Sequence, residues 1–200
     1  MTAVILSRRH EMTKLTKTQL QRVIKEELAA VLSMDTLPLS LESGMGADVS
    51  LEEEMMGLLA CLRCAGVWFH AAHHVTKGTG FIGDHKDLYG EIYGALNDDY
   101  DGAAEKAVGL TGNEDVVCPH SVMALAIDKM GKYPSPSGAS AASIASTGLE
   151  IMRDLNDHVE TVFKNLEETG QLALGLNDFL AAAANDYTKY IYLLQQRAKG

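Results

Sequence analysis

The chain has 200 residues, 46% of them apolar and 22% charged, with a formal net charge of −10. Those proportions exclude a disordered or low-complexity chain and describe one soluble globular domain with a full core. No apolar run approaches the ~20 residues of a membrane span, so no membrane is expected among the partners.

The acidity is uneven. Residues 1–25 carry six basic groups, Arg8, Arg9, Lys14, Lys17, Arg22 and Lys25, against Glu11 alone, whereas the other 175 carry 11 basic and 26 acidic groups. A basic arm on an acidic body has two readings: DNA held through phosphate attraction by those six residues, or docking on an acidic partner surface. The opening M-T-A-V-I-L-S-R-R has a hydrophobic run too short for a signal peptide. The three cysteines, Cys61, Cys64 and Cys118, suit a reducing compartment, so a cytoplasmic location is expected.

Residues 1–13 lack periodicity. Thr16 and Gln19 then fit a capping box, and Leu20, Val23, Ile24, Leu28, Val31 and Leu32 recur at helical spacing, so 1–33 reads as a basic arm ending in an amphipathic helix. Pro38, Gly44 and Gly46 make 34–49 a linker, and 50–200 is the main domain. A second capping box, Ser50 and Glu53, starts a helix that continues through Leu58, Leu62, Trp68 and Phe69 to His74. Within it Cys61 and Cys64 form a C-x-x-C without a βαβ context, which reads as core packing ahead of redox or cluster roles. After K-G-T-G-F a second helix spans Asp84 to Leu110, and a short one Ser121 to Lys132, with Val122, Leu125, Ala126 and Met130 on one face. A third long helix runs from Ser137 to Thr169, stopped by Gly170, and a fourth, capped near Asn177, runs to Arg197. No segment reads as a sheet, so the expected class is all-α.

The stretch from His70 to Glu105 concentrates the chemistry. It holds four of the seven histidines (His70, His73, His74, His85) and seven carboxylates (Asp84, Asp87, Glu91, Asp98, Asp99, Asp101, Glu105) against two lysines. Imidazole with carboxylate, without clustered thiolates, points to iron or another octahedral divalent metal. Glu91, Asp98, Asp101 and Glu105 follow at steps of seven, three and four, one stripe of a helix, with Asp87 extending it upwards. Such a stripe is either a solvated face or the wall of a metal site.

His73, His85, Asp101 and Glu105, with A-H-H-V-T-K-G-x-G-F between the histidines, resemble the signature of the Dps family, the starvation-induced mini-ferritins. The runs A-E-K-A-V-G-L-T-G and, further on, S-I-A-S-T-G-L-E to Y-I-Y-L-L-Q-Q-R are similar to the family's helix ends and last two helices, so the likeness covers about 51–198. It is nearest to divergent members found in bacteriophage genomes. The resemblance implies a ferritin-like four-helix bundle with a short helix in the long connection. It also implies a homo-oligomer, a dodecamer built from dimers, and a ferroxidase that oxidises ferrous iron and stores it in a hollow shell. The ligands so implied are His73 and His85 from one subunit and Asp101 and Glu105 from its two-fold mate. Trp68, Tyr89, Tyr93 and Tyr100 are near enough in sequence to take stray oxidising equivalents, although core packing is the commoner role.

Two departures stand out. His85 and Asp101 are sixteen positions apart where the family has fifteen, and one extra residue turns a regular helix by ~100°. Either His85 precedes the helix proper, or a π-bulge absorbs the residue, helped by Gly90 and Gly94. The family's further carboxylate is replaced by Tyr89, for which Glu91 or Asp87 would substitute. These departures leave a rival reading, a structural or DNA-binding protein of the same fold with a degenerate metal site. A di-iron oxygenase within one bundle would need Glu-x-x-His, which does not occur in this sequence.

Overall fold

The computed structural model of the chain describes residues 50–200. The arm and helix expected at 1–33, the linker at 34–49 and the DNA-facing set Arg8, Arg9, Lys14, Lys17, Arg22 and Lys25 lie outside the described residues. Among those described the fold is all-α and contains no strand. In order come α1 (Leu51–Val75), a π-helical segment (Gly83–Gly90) running straight into α2 (Glu91–Thr111), a short 3-10 turn (Glu114–Val117), α3 (Pro119–Met130), α4 (Ala141–Glu168) and α5 (Leu174–Ala198).

α1 begins as its sequence dictates. The Ser50 hydroxyl accepts from the Glu53 amide and the Glu53 carboxylate accepts from the Ser50 amide, so two otherwise orphaned donors are satisfied. The helix packs along α2, α3 and α4, while α4 runs along α5. Contact on several sides explains why α1 is apolar nearly all round. By length and composition alone it is apolar enough to cross a membrane, contrary to the expectation drawn from its short apolar runs. Its Met55, Leu58, Leu59, Leu62, Trp68 and Phe69 are nonetheless buried in the protein's own core.

Two helix starts differ from expectation by more than a full turn. α4 starts at Ala141, because Ser140 and not Ser137 accepts from the amide three residues on, while Pro136 to Ala139 form a turn. α5 starts at Leu174 without a side-chain cap; the Ala173 carbonyl receives the amides of Leu176 and Asn177, so Asn177 lies inside the helix. Gly170, at φ +69°, closes α4 as its position after Thr169 suggests.

Polar ties fix how the helices sit. Trp68 Nε1 donates to the Pro134 carbonyl at 2.9 Å, and Tyr187 donates to Asp99 at 2.7 Å. Burial pushes Asp99 above the usual carboxylate range, opposed by that hydrogen bond. Arg197, in the last turn of α5, grips Asp84 with Nε at 2.6 Å and Nη2 at 2.7 Å. Asp84 is buried, so this two-pronged pair fixes the end of α5 to the start of the π segment.

Cys61 and Cys64 lie on α1 beside a cavity of ≈ 330 Å³, with Lys129 of α3, Lys132 of the turn after it and His158 of α4 around it. Burial pushes both thiols up, Cys64 to about 11, so they stay protonated, in keeping with a packing role. His158 is held down to about 4, first by burial and then by Lys129. Its folded pKa lies below the ordinary 6.5, so the unfolded chain binds the extra proton first and stability falls as pH drops through that window. A shift of this size corresponds to on the order of 3 kcal/mol. Chemical denaturation of His158→Gln should therefore show a smaller loss of stability than the parent between about pH 6.5 and about pH 4. Equal losses in the two proteins would contradict a buried neutral imidazole.

Candidate metal centre

The π segment settles where His85 stands. The helix is continuous from Phe81 to Thr111, and His85 lies within it, in the widened part from Gly83 to Gly90. Of the two possibilities left open by the spacing, the structure takes the second: wider turns accommodate a residue that a regular helix would express as a rotation. Gly90 makes this possible. A Cβ there would stand 2.7 Å from the His85 carbonyl oxygen and 3.1 Å from His73 Nδ1, closer than such atoms pack. At Gly94 a Cβ would meet nothing within 4 Å.

The His85 carbonyl has a side-chain partner. His73 Nδ1 lies 2.6 Å from the His85 carbonyl oxygen, and His85 Nδ1 lies 2.7 Å from the His73 carbonyl oxygen. A carbonyl has no proton, so each Nδ1 carries the hydrogen and donates it. In the neutral form of each ring, Nε2 is then left with a bare lone pair. The two rings stack at 3.8 Å between centroids and 20° between planes, and Phe81 stacks on the far side of His85 at 5.1 Å. Both imidazoles are half-buried. Two ligand-type nitrogens are thereby set side by side, each ring fixed through its other nitrogen, the arrangement by which metal-binding histidines are normally oriented.

The other expected residues are not gathered here. Asp101 is sixteen residues beyond His85, about 24 Å along a helix at ~1.5 Å per residue, and Glu105 is one turn further. Both are exposed on α2, as is Asp87 on the π segment. Glu91 is taken: Lys189 of α5 donates to it at 2.5 Å, and that hydrogen bond raises the lysine pKa. Tyr89 is fully buried, its hydroxyl without a hydrogen-bond partner among the described residues; burial, then Asp84, pushes its pKa up. It stands near no exposed ligand face and belongs to the core. Trp68 is likewise buried, Tyr100 lies under the Arg63 guanidinium at 3.7 Å, and Tyr93 touches the rings of His70 and His73. Among the described residues, no three His, Cys, Asp or Glu side chains of one chain come together in a metal-holding group.

No family model matches the chain, and no curated protein or solved structure matches it either. The site is therefore read from its own geometry. Sequence reasoning named His73 and His85 but missed Lys189, which neutralises Glu91, and Arg197, which anchors the π segment. Nothing in the local sequence of α5 signals either pairing, since the partners are 98 and 113 residues apart.

The two glycines separate a built feature from a permissive one. Gly90→Ala should cost about 1–3 kcal/mol through overpacking and break the His73 to His85 hydrogen bond. Gly94→Ala should instead stabilise the helix by about 0.5–1 kcal/mol. Thermal unfolding of both variants checks this, and equal effects of the same sign would refute it.

Proposed function

We propose that this protein is a Dps-like ferroxidase and iron-storage protein, built as a ferritin-like four-helix bundle that assembles into a homo-oligomer. The observation that carries the reading is the reciprocal pairing of His73 and His85, which leaves two oriented Nε2 lone pairs beside one another. Neutral imidazole with carboxylate suits ferrous iron. The carboxylates that complete the set, Asp101 and Glu105, lie too far along the same helix to share an ion with those nitrogens in one protomer. In the proposed assembly they come from a second copy lying antiparallel across a two-fold axis.

In this reading iron is substrate and cargo, and its contribution is one electron per ferrous ion to oxygen or peroxide. The chain's part is to bind and orient. His73 and His85 offer nitrogen, Asp101 and Glu105 offer charge, and the acidic body draws cations towards the particle. Glu91 contributes little while Lys189 neutralises it, and Asp87 is free to approach from the same turn as His85. The location follows the reading: a cytoplasmic iron store that limits oxidative damage, with DNA retention by the basic arm as an added property.

One observation favours the rival, a structural or DNA-binding protein with a decayed metal site. Glu91 is salt-bridged and Tyr89 stands where the family has a carboxylate, so the donor set is thinner than in the family pattern. The two readings part on one experiment. Purified protein given ferrous salt and peroxide should develop ferric absorbance faster than buffer, and a variant combining His73→Ala with Asp101→Ala should fall to the buffer rate while keeping its oligomeric mass. Parent protein no faster than buffer, with no iron retained, would leave only the helical assembly.

A further inference from the structure

We propose that His70 and His74 form a separate metal site, a two-nitrogen chelate on the outer face of α1 for one nitrogen-preferring divalent transition cation such as Ni²⁺, Cu²⁺ or Zn²⁺. The two residues are four apart on a helix and therefore share a face. Both are exposed, and their Nε2 atoms approach to 3.1 Å. That contact already requires one ring to offer a lone pair where the other offers a proton. When a cation binds, the ring that donates through Nε2 takes its other neutral tautomer, with the proton on Nδ1, so both Nε2 lone pairs face the ion.

The span is the right one. With metal to nitrogen bonds of about 2.05 Å, two nitrogens 3.1 Å apart subtend about 98° at the ion, between the tetrahedral and octahedral angles. The rings are also partly held in place. His70 lies against Tyr93 at 4.7 Å between centroids, tilted by 32°, and His74 meets the edge of His73 at 4.8 Å. Less rotamer freedom is lost on binding when the rings are already confined by their neighbours. Since no third His, Cys, Asp or Glu completes a group of three in the chain's described residues, water fills the remaining positions. A site of two imidazoles and water selects the nitrogen-preferring metals and passes over Mg²⁺ and Ca²⁺, which demand oxygen ligands.

This site is independent of the iron reading. It lies wholly within one chain, needs no second copy, and uses neither His85 nor a carboxylate. His73, by contrast, is committed to the inner pair through its Nδ1 hydrogen bond. The proposal would stand if the ferroxidase reading failed, and the reverse also holds.

Calorimetric titration of the full chain with Ni²⁺ alone tests it. His70→Ala and His74→Ala should each weaken binding by at least about tenfold, which is about 1.4 kcal/mol. The double variant should lose less than the sum of the two single losses, since either single change already breaks the chelate. Both positions are exposed and alanine is the best helix former, so the variants keep their fold. His120→Ala, at another exposed histidine, should leave the affinity within about twofold, and Mg²⁺ should not compete. Unchanged Ni²⁺ affinity in the His70→Ala and His74→Ala variants would overturn the proposal. So would a loss in His120→Ala as large as theirs, because the ion would then not be held by the pair on α1.

Discussion

Two hydrogen bonds, each from an imidazole to the other residue's backbone carbonyl, organise the chemically distinctive region of this protein. They join the last turn of α1 to the π segment ahead of α2. At the α1 side the His73 carbonyl, in the last turn, would otherwise lack an intrahelical donor. The His85 carbonyl, inside the π segment, takes the imidazole as an additional donor. The histidines supply the donors, and in supplying them they become fixed in tautomer and direction. The same two bonds thus serve folding and site construction at once. Gly90 is the geometric condition for both, since any side chain at that position would occupy the space of the His73 ring and the His85 carbonyl.

Around this pairing the frame is fastened by charge from the far end of the chain. Arg197 holds Asp84 just before His85, and Lys189 holds Glu91 just after Gly90, so α5 grips the π segment from both sides. The two pairs are unequal. Asp84 is buried and its partner is largely sheltered, so loss of the arginine would strand a desolvated charge. Lys189 and Glu91 are both exposed, and such pairs contribute little to stability. The importance of Lys189 is chemical, since it occupies a carboxylate that an incoming cation would otherwise meet.

Much of the fold was readable from local pattern, because helices announce themselves through periodicity and caps. Ser50 with Glu53 fixed the start of α1, and Gly170 the end of α4. Boundaries failed where two capping residues competed, as with Ser137 and Ser140, or where backbone alone began the helix, as at Ala173. The site was readable in kind but not in form. Histidine clustering and the family resemblance singled out His73 and His85, and the resemblance implied one residue too many before Asp101. It could not choose between a late helix start and a π segment, since that choice depends on packing against α1. Nor could it reveal that Glu91 is engaged by Lys189, a contact made across 98 residues of sequence. Gly90 and Gly94 looked alike in the sequence, and only their surroundings separate them.

The central claim is that the paired backbone contacts leave a bare Nε2 on both His73 and His85. Nitrogen-15 NMR of the histidine side chains in the metal-free protein addresses it directly, because protonated and bare ring nitrogens resonate far apart. With the rings neutral, the account predicts a proton on Nδ1 and none on Nε2 at both positions, with the Nδ1 protons shielded from exchange by their carbonyl partners. Protons found on Nε2 at either residue would contradict it, for the lone pair offered to a metal would already be occupied.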